Sequence, residues 1–86
     1  MSFHIIKINI MYTIDCVVVD LVINRTFVES KQYEELKKAQ LAFNDTISHY
    51  FEEAASYDDY IIKHNTDKLF HIEYGPAIVF VCLKCD

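Results

Sequence analysis

Glycine and proline each occur once in this chain of 86 residues, and the two are adjacent as Gly75-Pro76. Connections that need a positive φ angle usually use glycine, so the loops between elements are expected to be few and short. A chain of this length forms one domain and buries only about 60% of the surface that its unfolded form exposes. We therefore expect a single domain over residues 1–86, with no interdomain linker and no disordered segment.

Four segments have the pattern of β-strands. Over most of residues 3–10 and 68–74, every second side chain is apolar, and this period of two is typical of strands. Residues 14–23 and 77–83 are apolar on both faces, which indicates central strands or strands in a dimer interface. Gly75-Pro76 would form the turn between the last two strands. We expect the two apolar strands to be neighbours in the middle of a sheet.

One long helix is predicted from residue 31 to about residue 55, because apolar side chains recur there at three- and four-residue steps. Ser30 would cap its first turn. Residues 57–64 fit either a second, short helix or a strand around residues 60–62, and the helix is favoured. The element order is then β-β-α-(α)-β-β. The predicted fold class is α+β, with a small antiparallel sheet of about four strands packed on one long helix.

The supply of apolar side chains exceeds what one face of a small sheet needs. Apolar residues make up 52% of the chain. Once the helix covers one face of the sheet, little of the chain remains to cover the other face. We therefore expect a homodimer joined through the apolar sheet face, with Val17, Val19 and Leu21 in the interface. A tightly packed monomer is the alternative.

Candidate sites for catalysis or metal binding are weak. Cys82 and Cys85 have the spacing of half a zinc site, but no second pair exists, and residues three apart in a strand point to opposite faces. His71 and Glu73 would share a strand face, as an acid–base pair or as a solvent-facing ladder. One glycine is too few for a phosphate-binding loop. The prediction is no enzyme, no cofactor and no metal, with a small zinc protein as the least favoured alternative.

The compartment is predicted from the cysteines and the N-terminal residues. Three cysteines, an odd number, fit a reducing compartment better than a set of disulfides. The apolar N-terminal part is interrupted by Lys7, Asp15 and Asp20, which disfavours a membrane span, and it lacks the pattern of a signal peptide. We expect a cytoplasmic protein, located in the host cytoplasm if it is viral, without membrane contact.

The charges are unevenly distributed. Residues 39–62 contain five acidic residues and no lysine or arginine, so this stretch carries a charge equal to the −5 of the whole chain. Residues 50–60, the acidic-aromatic segment, contain four acids and four aromatic residues. Carboxylates attract a basic partner and accept hydrogen bonds from arginine, and tyrosine is common among binding hot spots. The alternative is that the aromatic side chains belong to the core and the acids to a solvated helix face. The predicted partner-binding residues are Glu52, Glu53, Tyr57, Asp58, Asp59 and Tyr60.

In size and acidic charge, the chain resembles anti-CRISPR proteins and DNA-mimic inhibitors of phages and other mobile elements. The resemblance is one of general character and transfers no site residues. With 13 acidic against 8 basic residues, direct binding to nucleic acid is disfavoured. The predicted function is a non-enzymatic module that binds a protein with a basic surface and inhibits a host protein that handles nucleic acid. A structural homodimer or an assembly subunit is the alternative.

Overall fold

A computed structural model describes residues 10–85, so the strand predicted over residues 3–10 lies almost wholly outside the described residues. The described elements are β1 (Tyr12–Asp20), β2 (Arg25–Tyr33), α1 (Leu36–Ala54), β3 (Ile61–Asn65), β4 (Leu69–Tyr74) and β5 (Ala77–Cys85). The strands form one sheet in the order β2-β1-β5-β4-β3, and all neighbours are antiparallel. The α+β class is confirmed, with five strands among the described residues where about four were predicted.

The two apolar strands are neighbours, as predicted. β1 and β5 pair over their full lengths, from Tyr12 opposite Cys85 to Asp20 opposite Ala77. β5 therefore lies in the middle of the sheet, between β1 and β4. The strand predicted over residues 14–23 ends earlier, at Asp20, because residues 21–24 form a turn to β2.

The predicted start of the helix is wrong. Residues 25–33 form β2 as the second strand of a hairpin with β1, and α1 begins only at Leu36. Ser30 therefore caps no helix, and its hydroxyl donates a hydrogen bond to Asp15 on the neighbouring strand. The reason is long-range pairing: the run Thr26-Phe27-Val28 favours a strand, and β1 offers it a partner along its whole length.

Residues 57–64 form no helix either. The chain continues from α1 in a turn-rich connection, and β3 begins at Ile61. The alternative of a strand is confirmed, because Ile62 pairs opposite Ile72 of β4, but the strand continues to Asn65, beyond the predicted residues 60–62. The register shifts between Ile62 and His64, which leaves Lys63 as an extra residue in a bulge.

The core lies between α1 and one face of the sheet. Phe43 of α1 is buried in one cluster with side chains of β1, β4 and β5, and the small buried residues Ala39 and Ala54 let the helix approach the sheet closely. The fully buried side chains with the largest volumes are Phe43, Phe70, Ile72, Val79 and Val81. Side chains of this kind contribute most of the stability of a small domain.

The opposite face of the sheet, the open face, is not covered by any element of residues 10–85. Val17 and Val19 of β1 lie on this face, next to Ile78 and Phe80 of β5, and all four are half-buried by their neighbours. Farther along the same face, Asp15 accepts hydrogen bonds from Lys84 and Ser30, which lower the pKa of its carboxyl.

Candidate protein-binding surface

Three connections meet at one end of the sheet, which we call the turn end. They are the β1–β2 turn (residues 21–24), the β4–β5 turn at Gly75-Pro76, and the connection from α1 to β3 (residues 55–60). The backbone N–H of Leu21 donates to the carbonyl of Pro76 at 2.9 Å. On the other side, the ring of Tyr57 lies against Gly75. The acidic-aromatic segment and the β1–β2 turn are thus linked through one short turn.

The β1–β2 turn presents aliphatic side chains to solvent. Leu21, Val22 and Ile23 are 59%, 76% and 54% exposed. The turn is nevertheless well defined, because one carboxylate oxygen of Asp20 accepts the backbone N–H groups of Val22, at 2.9 Å, and Ile23, at 3.3 Å. Asn24 completes it with a φ of 53°, a conformation that asparagine adopts more readily than most residues. An exposed apolar group held in one shape suits contact with a protein.

Acidic side chains lie at the same end of the sheet. Glu52 is exposed in the last turn of α1, and Asp58 and Asp59 are exposed in the connection that follows. The last turn of α1 contains no basic residue. The carbonyl groups at a helix C-terminus already carry partial negative charge, so these acids add to a negative potential that nothing in the last turn offsets.

Glu53, unlike the other acids predicted to bind a partner, makes contacts that stabilise the fold. One of its carboxylate oxygens accepts the hydroxyl hydrogen of Tyr74 at 2.9 Å, and the other lies 3.5 Å from Nε2 of His49. Burial, followed by this contact with Glu53, raises the pKa of Tyr74. Glu53 therefore holds α1 to the sheet, and only part of its surface faces outward.

Both candidate anchor tyrosines pack on one side and are open on the other. Tyr57 is 40% exposed and its ring centre lies 5.3 Å from that of Tyr74. Tyr60 is 41% exposed and meets Phe51 edge-on at 5.9 Å. A ring already fixed by the fold loses little conformational entropy on binding.

The structure divides the predicted interface residues between two places. Val17 and Val19 lie on the open face, whereas Leu21 lies in the turn, outside the strand. Sequence patterns missed the apolar turn, because its aliphatic side chains continue the apolar run of β1. The signal was the pair of residues that brackets it, Asp20 and Asn24, since both types favour turns.

Within the described part of the chain, the three cysteines and His71 form no metal-binding group with one another. Cys82 and Cys85 lie on opposite faces of β5, and Cys16 donates a weak hydrogen bond to the hydroxyl of Tyr50 at 3.6 Å. Burial raises the pKa of the Cys16 thiol. His71 stacks on Phe80 with ring centres 4.1 Å apart, and its Nε2 lies 3.0 Å from a Glu73 oxygen but without hydrogen-bond geometry.

An open groove of about 470 Å³ separates α1 from β2. Glu29 and Lys31 of β2 line one wall, and Asp45 and His49 of α1 line the other. Charges of both signs are mixed along it, which gives no preference for a cation or an anion. The groove also means that the helix leaves most of β2 uncovered.

Within residues 10–85, no three His, Cys, Asp or Glu side chains are placed to hold a metal ion together. No helix in that range combines the length and the apolar character that a membrane crossing requires. No family model, curated protein or solved structure matches the chain.

Proposed function

We propose that the protein is a non-enzymatic binding module that attaches through its turn end to a protein with a basic surface, and that it thereby inhibits a protein that handles nucleic acid. The observation that carries this proposal is the meeting, at one end of the sheet, of an exposed aliphatic turn with exposed carboxylates. The aliphatic residues are Val22 and Ile23 of the β1–β2 turn. The carboxylates are those of Glu52, Asp58 and Asp59.

This composition matches the anatomy of protein–protein interfaces. Apolar side chains form the centre of such interfaces, and polar and charged groups form the rim. Rim carboxylates speed the approach of a basic partner and suppress binding to acidic proteins. Proteins that bind nucleic acid present lysine and arginine to phosphates, so their binding surfaces are basic. Carboxylates at the turn end would compete with phosphates for the same side chains.

The direction of charge along α1 supports a role in binding. Negative charge stabilises a helix at its N-terminus and positive charge at its C-terminus. This helix has the opposite arrangement, with Lys37 and Lys38 in its first turn and Glu52 and Glu53 in its last turn. Glu53 contributes to the fold through Tyr74, so Glu52 is the acid whose unfavourable position at the helix C-terminus supports a role in binding.

Affinity capture with a charge-matched control tests the proposal. The double variant Asp58→Lys and Asp59→Lys reverses two exposed acids at the turn end. The control variant, Glu34→Lys with Asp67→Lys, makes the same change in net charge at exposed sites outside it. We expect a protein captured from host extract by the unchanged chain to be lost from the turn-end variant and retained by the control, and to be displaced by short duplex DNA.

Two outcomes would contradict the proposal. Equal capture by the turn-end variant and the control would mean that the acids at the turn end make no contact. Capture that duplex DNA leaves unchanged would mean that the partner's nucleic-acid site is not the surface engaged. Far-UV circular dichroism of both variants checks that the fold is retained.

A further inference from the structure

β2 forms one edge of the sheet, and no strand of residues 10–85 pairs with its outer side. It is nine residues long, and all of them except Tyr33 are exposed. Its pairing with β1 is regular throughout, with no bulge and no proline. A long, regular edge strand presents a row of backbone donors and acceptors that another strand can pair with.

The opposite edge of the sheet is built differently. β3 has only five residues, and Lys63 forms a bulge in its pairing with β4. Short length, bulges and lysine are the usual devices by which edge strands avoid pairing with other chains. β3 has all three of these devices, whereas β2 also contains a lysine, Lys31, but is long and regular.

We infer that β2 pairs with β2 of a second copy of this chain, antiparallel, about a two-fold axis at Ser30. An axis perpendicular to the sheet keeps both α1 helices on the same side. Residues of the same sheet face then meet across the new strand pair. Phe27, Glu29, Lys31 and Tyr33 lie on the helix side of β2, since their partners on β1 lie there.

The charges of β2 select this register. With the axis at Ser30, Glu29 of each copy lies opposite Lys31 of the other, and Phe27 lies opposite Tyr33. An axis at Val28 would set Arg25 against Lys31, and an axis at Glu29 or Lys31 would set that residue against its own copy. Like charges directly opposite one another destabilise a strand pair, and opposite charges stabilise it.

An axis at Phe27 also avoids like charges, because it sets Arg25 against Glu29. It pairs only residues 25–29, however, whereas the axis at Ser30 pairs residues 27–33. The Ser30 register also covers Phe27, which is exposed in the single chain, with the ring of Tyr33. Glu29 and Lys31 already lie 3.4 Å apart within one chain, both exposed, so the two copies together form a cluster of four alternating charges.

Reversing one charge at a time tests both the interface and its register. Sedimentation equilibrium of the unchanged chain is expected to give a dimer mass. Glu29→Lys sets lysine against lysine, and Lys31→Glu sets glutamate against glutamate, so each variant alone is expected to dissociate at least about ten times more readily. An equimolar mixture of the two variants is expected to form a dimer again, because lysines of one chain then face glutamates of the other.

In the mixture, residues 29 and 31 of each chain still carry charges of the same sign. Only contacts between the two chains can therefore restore the dimer, which makes the mixture decisive. Asp67→Lys and Lys63→Glu make the same charge changes at exposed sites away from β2 and are expected to leave the dimer intact. A monomeric unchanged chain, or single variants that stay as dimeric as the unchanged chain, would overturn the inference. A mixture that stays monomeric would overturn the Ser30 register.

Discussion

The ring of Tyr57 lies over Gly75 so closely that a Cβ atom added to the glycine would be 2.5 Å from Cε1 of the tyrosine. Gly75 also has a φ of +50°, a backbone conformation that residues other than glycine rarely adopt. The contact joins the connection after α1 to the β4–β5 turn. It therefore sets the position of the acidic residues relative to the apolar turn at residues 21–24.

Gly75→Ala should destabilise the fold for two separable reasons. The positive φ costs about 1–2 kcal/mol for a residue with a Cβ atom, and the ring of Tyr57 must move as well. We expect the free energy of unfolding, measured by urea denaturation, to fall by about 2–3 kcal/mol. In a Tyr57→Ala background the same change should cost only the part due to φ. Equal costs in the two backgrounds would show that the ring does not resist the added atom.

Glu52→Lys should separate folding from binding. It places a positive charge at the C-terminus of α1, so the free energy of unfolding is expected to rise by about 0.3–1 kcal/mol. Capture of the partner should nevertheless weaken, because a rim carboxylate is lost. Lys37→Glu, in the first turn of the helix, is the matched variant: it should stabilise for the same reason and leave capture unchanged. A Glu52→Lys variant that is less stable than the unchanged chain would contradict the electrostatic account of α1.

Stability should fall in alkaline solution. Burial raises the pKa of Tyr74, with the contact to Glu53 as the next cause, and burial followed by the contact with Cys16 raises that of Tyr50. Tyrosines in the unfolded chain ionise at about pH 10, so above that pH the unfolded state releases protons that the folded state keeps. The folded state is thereby disfavoured as the pH rises.

Tyr74→Phe tests this pH dependence. The variant loses the hydrogen bond to Glu53, so at neutral pH its stability should be lower by about 1 kcal/mol. Its loss of stability between about pH 9 and about pH 11 should be smaller than that of the unchanged chain, because one tyrosine with a raised pKa is gone. Urea midpoints measured across this range provide the check, and identical slopes for the two proteins would rule out Tyr74 as a source of the effect.

The fold could be predicted where local pattern and long-range pairing agree. β4 alternates in sequence and residues 77–83 of β5 are all apolar, and both segments form the strands that these patterns indicate. Residues 25–33 contain opposite charges at a spacing that suits a helix and a Thr-Phe-Val run that favours a strand. Pairing with β1 decides in favour of the strand. Local periodicity contains no information about such a partner.

The candidate binding surface divides in the same way. The acidic-aromatic segment is contiguous in sequence, so its composition was visible without a structure. Its neighbour, the turn at residues 21–24, is about thirty residues away along the chain and becomes adjacent only through Pro76 and Gly75. The roles of Glu53 and Tyr74 in holding α1 to the sheet were equally hidden, because they depend on the distance between two side chains.

The central position of β5 affects how the chain can fold during its synthesis. β1 and β2 form one hairpin, β3 and β4 form another, and β5 is the strand that joins them. β5 is also the last of the described strands to leave the ribosome, so the sheet cannot close until residues 77–85 are available. Until then, the inner edges of β1 and β4 are unpaired and open to contact with other chains. A nascent chain is therefore expected to be vulnerable to misassembly until β5 emerges.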